Sequence, residues 1–210
     1  FLYFTFTNAN VNVEAKINQM ATETIFLQNK EFGNIQDVML LKGFWFNNVD
    51  PNRDGNFAYM MAPWKAHLEN PFIAAIGYLF FIIIIIGIIQ AIKTKKPILF
   101  GFFALFLFSF TMLATNTPPF SWIDILFRKI PLFDQAFRFP FTKFSILAGL
   151  SYSIFFSFGL LAVIKKVKSI KIITVITSIA FILYIFPVFQ GYLFYEKERL
   201  AIPKEYFDLF

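Results

Sequence analysis

The chain has 210 residues, 58% of them hydrophobic and only 15% charged, with a mean hydropathy of +0.63, whereas soluble domains carry about 25% charged residues. That balance excludes an ordinary soluble domain, and the absence of cysteine excludes a disulfide framework or a thiolate metal centre. The net charge of +6 rests on 15 lysines and 4 arginines against 13 acidic residues, and the placement of the lysines makes it a signal of membrane topology rather than of nucleic acid.

Residues 1–70 are the polar part, with seven acidic and five basic side chains and no apolar run long enough to cross a bilayer. Phe4, Phe6, Val11 and Val13 alternate with Thr and Asn, the pattern of a short strand. From Asn34, NIQDVMLLKG has a capping residue in front, apolar Ile35, Val38, Met39 and Leu41, and Gly43 as a stop, so a short helix is expected. FWFNNVDPNRDGN after it reads as loop. Its Asp and Asn oxygens suit a hard cation, but the spacing of a calcium loop is missing, and Pro51 and Gly55 account for it as a turn. No metal or cofactor is expected, and a lone His67 cannot make a zinc site; it reads as a surface residue rather than a catalyst. Trp45, Tyr59, Met61 and Trp64 suit a membrane interface.

Four apolar runs follow. Pro71 to about Ile92 holds 22 residues without a charge, roughly 33 Å of helix. Pro97 to about Thr115, Phe144 to about Ile164, and Ile172 to about Phe189 are the others, the last closed by Pro187 and Gly191. In the third, Gly149, Ser151, Ser153, Ser157 and Gly159 are small enough for helices to approach closely. The expected fold is an all-α polytopic membrane protein with four transmembrane helices and external interfacial segments. Its parts are an external polar segment at 1–70, a four-helix region at 71–190 with a loop at 116–143, and the start of an external segment at 191–210.

Orientation follows from charge, since short loops rich in Lys and Arg stay in the cytoplasm. The breaks at 93–96 and 165–171 carry seven lysines and no acid, whereas the segments on the other side hold twelve basic and thirteen acidic residues. Both ends and the 116–143 loop are therefore expected outside a cell membrane. The chain opens on Phe1, not Met, and closes within IPKEYFDLF, so we expect a piece of a longer protein.

The 116–143 loop holds two of the four arginines. Within it, Ser121 caps a short helix, SWIDILFRKI, whose Trp122, Ile125, Leu126 and Ile130 lie along one side; such a helix lies in the membrane interface or dips into it. Pro131 ends it. Arg138 and Lys143 then precede the third run, where Pro140 suits the first turn of a helix. Free N–H groups and the positive end of that helix would face both cations, an anion site in outline. At headgroup depth the anion is a lipid phosphate, met by the planar fork of Arg138 with Lys143 or Arg128 as point charges. The alternative stays open: cations at a helix end commonly snorkel to the interface, and Asp134 and Arg138 are an i,i+4 pair if helical. Nothing in the sequence pairs Asp124 or Asp134 for acid–base work.

The order of VMLLKGFWF at 38–46, a span, a lysine loop, a span, TPPF at 117–120, IPLFDQAFRFPFTKF at 130–144 heading another span, and IPKEYFDL at 202–209 resembles large bacterial and archaeal membrane glycosyltransferases of the GT-C type. The arabinofuranosyltransferase-like and YfhO-like proteins are the nearest in pattern. The resemblance covers most of residues 35–210, and FRFPFTKF at 137–144 is its most specific element. It implies an enzyme of the cell envelope that moves a sugar from a polyprenyl-phosphate donor to a glycan, glycolipid or protein acceptor on the external face. Its partners would be membrane lipid, that donor and the acceptor, and no nucleic acid. Such proteins carry the catalytic carboxylate in a first external loop near the N-terminus. No position here matches that motif, so the catalytic residue is unknown, and only Arg138, Lys143 and Arg128 stand as donor-phosphate candidates. Two other classes remain, a lipid or glycan transporter (flippase) and a non-catalytic structural membrane subunit. A transporter path calls for charges inside the spans, and these four runs have none.

Overall fold

The computed structural model describes residues 27, 30–51, 57–130, 139–167 and 169–191. The expected strand around Phe4 to Val13, the turn at 52–56, Asp134, Arg138 and the segment after 191 lie outside the described residues. What is described is mostly helical. In chain order come α1 (Ile35–Met39), a 3-10 turn (Phe44–Asn47), β1 (Val49–Pro51), β2 (Phe57–Tyr59), α2 (Ala62–Glu69), α3 (Pro71–Thr94), α4 (Pro97–Leu113), α5 (Phe120–Arg128), α6 (Pro140–Val167), α7 (Ile170–Tyr184) and α8 (Phe186–Phe189).

Two helices, α3 and α6, are long and apolar enough to cross a membrane. At 1.5 Å per residue α4 and α7, with 17 and 15 residues, reach only about 25 and 22 Å, short of the roughly 30 Å of a hydrocarbon core. The fourth apolar run is not one helix. Pro187 has no N–H to give to Leu183, so α7 stops at Tyr184 and a new turn starts at Phe186. The stretch expected as loop at 44–56 also has more order than its composition signals: β1 and β2 pair antiparallel, Val49 opposite Tyr59 and Pro51 opposite Phe57.

The chain divides into two compact units, one holding the described residues up to Phe44 together with Tyr78–Ile170, the other Trp45–Gly77 with the described residues from Lys171. In the first unit, α3 and α4 form a hairpin whose turn is made by Lys95, in the left-handed region at φ 53°, and Lys96. The ring of Phe81 lies 6.2 Å from that of Phe110 across the hairpin. α6 buries one stripe, Pro140, Phe144, Ala148, Ser151, Tyr152, Phe155 and Gly159, at the three-to-four-residue spacing of a single helix face. Phe106 of α4 packs on Tyr152 and Phe155, and Ser109 and Ser151, buried in the same core, donate their hydroxyls back to carbonyls of their own helices.

Where α3 meets α6 there is no room for side chains. A Cβ at Gly87 would overlap the carbonyl of Phe155, and one at Gly159 the carbonyl of Ile83. The small residues of the third run therefore serve close packing, as the sequence suggests, but it is Gly159 that does so, and its counterpart is Gly87. Away from these seams the helices carry exposed apolar side chains, among them Leu79, Ile82 and Ile89 on α3 and Ile146, Leu150 and Leu161 on α6.

In the second unit His67 finds a definite task. Its Nε2 lies 3.0 Å from the carbonyl oxygen of Leu183 and 3.2 Å from that of Tyr184. Carbonyls only accept, so Nε2 carries the proton. Pro187 removes the donor Leu183 would otherwise meet, and Val188 N–H turns to Ile185; the imidazole meets the carbonyls at the end of α7 instead. Beside it, Lys65 donates to Asn47 Oδ1 at 2.6 Å and stands 4.1 Å above the Tyr59 ring, a cation–π contact. Of the residues expected at an interface, Trp45 and Tyr59 are exposed, Met61 and Trp64 half-buried.

Candidate functional site

The segment 33–38, which includes most of α1, ties the end of α4 to α6. Asn116, just past α4, donates its N–H to the carbonyl of Gly33 at 3.0 Å and its Nδ2 to Asn34 Oδ1 at 3.1 Å. Tyr152, on the buried stripe of α6, donates its hydroxyl to the carbonyl of Val38 at 3.0 Å. Phe108 of α4 meets Phe144 of α6 and Phe106 meets Tyr152, so α4 and α6 are antiparallel, and α3, which runs against α4, is parallel to α6. Lys93 and Lys95 at the end of α3 and Lys165 and Lys166 in the last turn of α6 then fall at one end of this unit. α1, Asn116, α5 and the start of α6 occupy the other.

The local chemistry of α1 differs from the sequence reading in two ways. Asn34 occupies the N-cap position, but its side chain makes no capping bond and reaches Asn116 instead. Gly43 is not the stop. The helix ends at Met39 through a Schellman arrangement: Leu41 is left-handed at φ 52°, its N–H bonds the carbonyl of Val38, and the N–H of Lys42 bonds that of Asp37 at 2.8 Å. Gly43 is needed for a different reason, since a Cβ there would strike the ring of Phe141 in the first turn of α6.

Charged groups of both signs gather at this end. Asp37 is half-buried, and its carboxyl is held above the ordinary carboxylate range by burial, an effect opposed by the charge of Lys42 and a hydrogen bond from Asn34 and reinforced by Glu31. α6 starts at Pro140, as the sequence predicts; Lys143 is exposed in its first turn, and Thr142 Oγ1 donates to the carbonyl of Phe139 at 2.9 Å. Arg128 closes α5, and Arg138 falls outside the described residues. Of the three donor-phosphate candidates the structure thus positions Lys143 by its side chain and Arg128 by its backbone. Thr115 is 2% exposed, and its Oγ1 has no hydrogen-bond partner among the described residues. No group of three metal-ligating His, Asp or Glu side chains occurs among the described residues.

Asn34, Asp37, Asn116 and Tyr152 are the residues a sequence reading misses as a group. The signal for one of them is present: a tyrosine inside an otherwise apolar run has a hydroxyl that burial obliges to find a partner. That the partner is a main-chain carbonyl more than a hundred residues earlier is not readable from any local pattern. Compared with protein-family models, curated proteins and solved structures, the chain matches none.

Proposed function

We propose that this chain is part of an integral membrane glycosyltransferase that uses a polyprenyl-phosphate-linked sugar donor, and that the end of the first unit holding α1, α5 and the start of α6 is where the donor phosphate binds. The observation that carries the reading is the start of α6 at Pro140, which puts its first-turn N–H groups and exposed Lys143 at the end opposite Lys93, Lys95, Lys165 and Lys166. The breaks at 93–96 and 165–171 hold seven lysines and no acid, whereas the opposite end mixes both signs, which favours a cytoplasmic place for the lysine end and an external donor site. In this reading α4 and the α7–α8 pair also cross the bilayer, giving four spans. Their support is the apolar character of both and, for α4, packing along a helix of full spanning length.

A phosphate at headgroup level would accept from first-turn amides of α6 and from the cations beside them. Arg138 adds the planar fork, with Lys143 and Arg128 as further charge. The rest of the chain holds the helix start in place: Gly43 packs on Phe141, and Tyr152 ties α6 to α1. The middles of α3 and α6 carry no charged side chain, which favours chemistry at the membrane surface over passage of a polar cargo between these helices.

The test is donor affinity in the full-length protein, with membrane abundance measured alongside. Losing charge-assisted bonds costs about 1.5–3 kcal/mol, roughly a tenfold to hundredfold loss in affinity. Arg138→Gln should show it at normal abundance, and Arg138→Lys, which keeps the charge but not the fork, a smaller loss. Unchanged donor affinity in Arg138→Gln at normal abundance rejects the phosphate role.

A further inference from the structure

α5 is built the wrong way round for water. Phe120, at its start, packs its ring 5.8 Å from that of Phe110 near the end of α4, and Phe127 is half-buried. Asp124, on the same side, has its Oδ2 buried. The opposite side consists of Trp122, 66% exposed, Leu126, 61% exposed, and Ile125, with Ile123 at its margin. At 100° per residue these form one continuous apolar face, which the exposed Lys129 closes at its C-terminal end. An amphipathic helix on a water-facing surface puts its carboxylate out and its Trp and Leu in; this one does the reverse.

From this inversion we infer that the outward face of α5 is seated in lipid, with Trp122, Ile125 and Leu126 in contact with the acyl chains and Lys129 at headgroup level. The bilayer is the occupant because the patch continues surfaces of the same kind: α4, to which Phe120 is fixed, leads into α5, and it packs on α6, whose Ile146 and Leu150 are exposed in the turns nearest that end. Indole at a membrane boundary and a lysine at the rim are what that depth selects. α5 thereby has lipid on one side and α4 on the other, and Asp124 is on the protein side. The inference rests on α3 and α6 spanning the membrane and is independent of the transferase reading.

The cysteine-free sequence makes the test direct. Single variants Trp122→Cys, Ile125→Cys and Leu126→Cys, each spin-labelled in the chain reconstituted into phosphatidylethanolamine–phosphatidylglycerol vesicles, report collisions with oxygen, which concentrates in lipid, and with a nickel chelate, which stays in water. Leu150→Cys is the lipid reference and Lys166→Cys the water reference. The oxygen-to-nickel ratio at the three α5 positions should match Leu150→Cys and exceed Lys166→Cys roughly tenfold, the ratio that a partition preference of about 1.4 kcal/mol produces. Nickel collisions as frequent as at Lys166→Cys would put the face in water. Few collisions with either reagent would mean that protein covers it. Either result overturns the inference, and neither bears on donor binding.

Discussion

The crossing of α3 and α6 gives the sharpest quantitative expectation. In Gly87→Ala the new methyl group would fall on the carbonyl of Phe155 and also crowd the backbone N–H of Gly159. These are main-chain atoms of a long helix, so no rotamer change relieves the clash and the two helices must separate. A gap of 0.5–1 Å already forfeits about a quarter to a half of each dispersion contact along the seam, which places the cost at about 3 kcal/mol, the upper part of the usual range for overpacking, or roughly a hundredfold in the folding equilibrium. Gly101→Ala is the control on the neighbouring helix α4. Nothing lies within 4 Å of a Cβ there, so the change should be neutral or stabilise by up to about 1 kcal/mol through helix propensity. Reversible unfolding of the reconstituted protein, followed by steric trapping or by circular dichroism in mixed micelles, measures both. Gly87→Ala with Gly159→Ala should cost less than the sum of the two, because helices already apart leave room for the second methyl. Equal stability of Gly87→Ala and Gly101→Ala would refute the close crossing.

Three further outcomes are expected. His67→Ala should destabilise the α7 end by about 1–2 kcal/mol, seen as faster amide exchange at the end of α7, and the penalty should shrink in a Pro187→Ala background, where an N–H returns to compete for Leu183. Tyr152→Phe should cost about 1 kcal/mol, the low end for a buried hydrogen bond, because the Val38 carbonyl keeps a bond from Leu41 N–H; exchange of α1 amides reads it. Asp37 has its carboxyl raised in the folded chain, so it favours folding while protonated, and that contribution is lost as pH rises through its folded pKa. Asp37→Asn should therefore slow α1 exchange at neutral pH and make no difference once the pH falls below 3.8, the ordinary carboxylate value.

Much of the helical plan is legible in the sequence because apolar runs bounded by Lys or Pro have few other solutions. Pro71, Pro97 and Pro140 each open a helix where their missing N–H costs nothing. The fourth run shows the limit: Ile172 to Phe189 is apolar throughout, yet Pro187 breaks it, and the break is completed by His67, a residue with no local mark of that role. The site divides in the same way. Pro140 and Lys143 are visible as a helix start with a cation, because both signals are local. The joint made by Asn34, Asn116 and Tyr152 is not visible, because each is an ordinary residue until the fold sets it against a main-chain group far away in sequence. Asn34 and Gly43 were readable only in the wrong roles, as cap and stop, since those are the commonest uses of Asn and Gly near a short helix.

The central proposal is that the end of the first unit opposite Lys93, Lys95, Lys165 and Lys166 lies outside the cell, and labelling of single cysteines in intact cells addresses it most directly. Thr142→Cys in the first turn of α6 and Lys95→Cys in the α3–α4 turn are both at exposed positions. In the full-length protein an impermeant maleimide should modify Thr142→Cys in intact cells and reach Lys95→Cys only after permeabilisation. Labelling of Lys95→Cys in intact cells, with Thr142→Cys protected until the membrane is opened, would contradict the account.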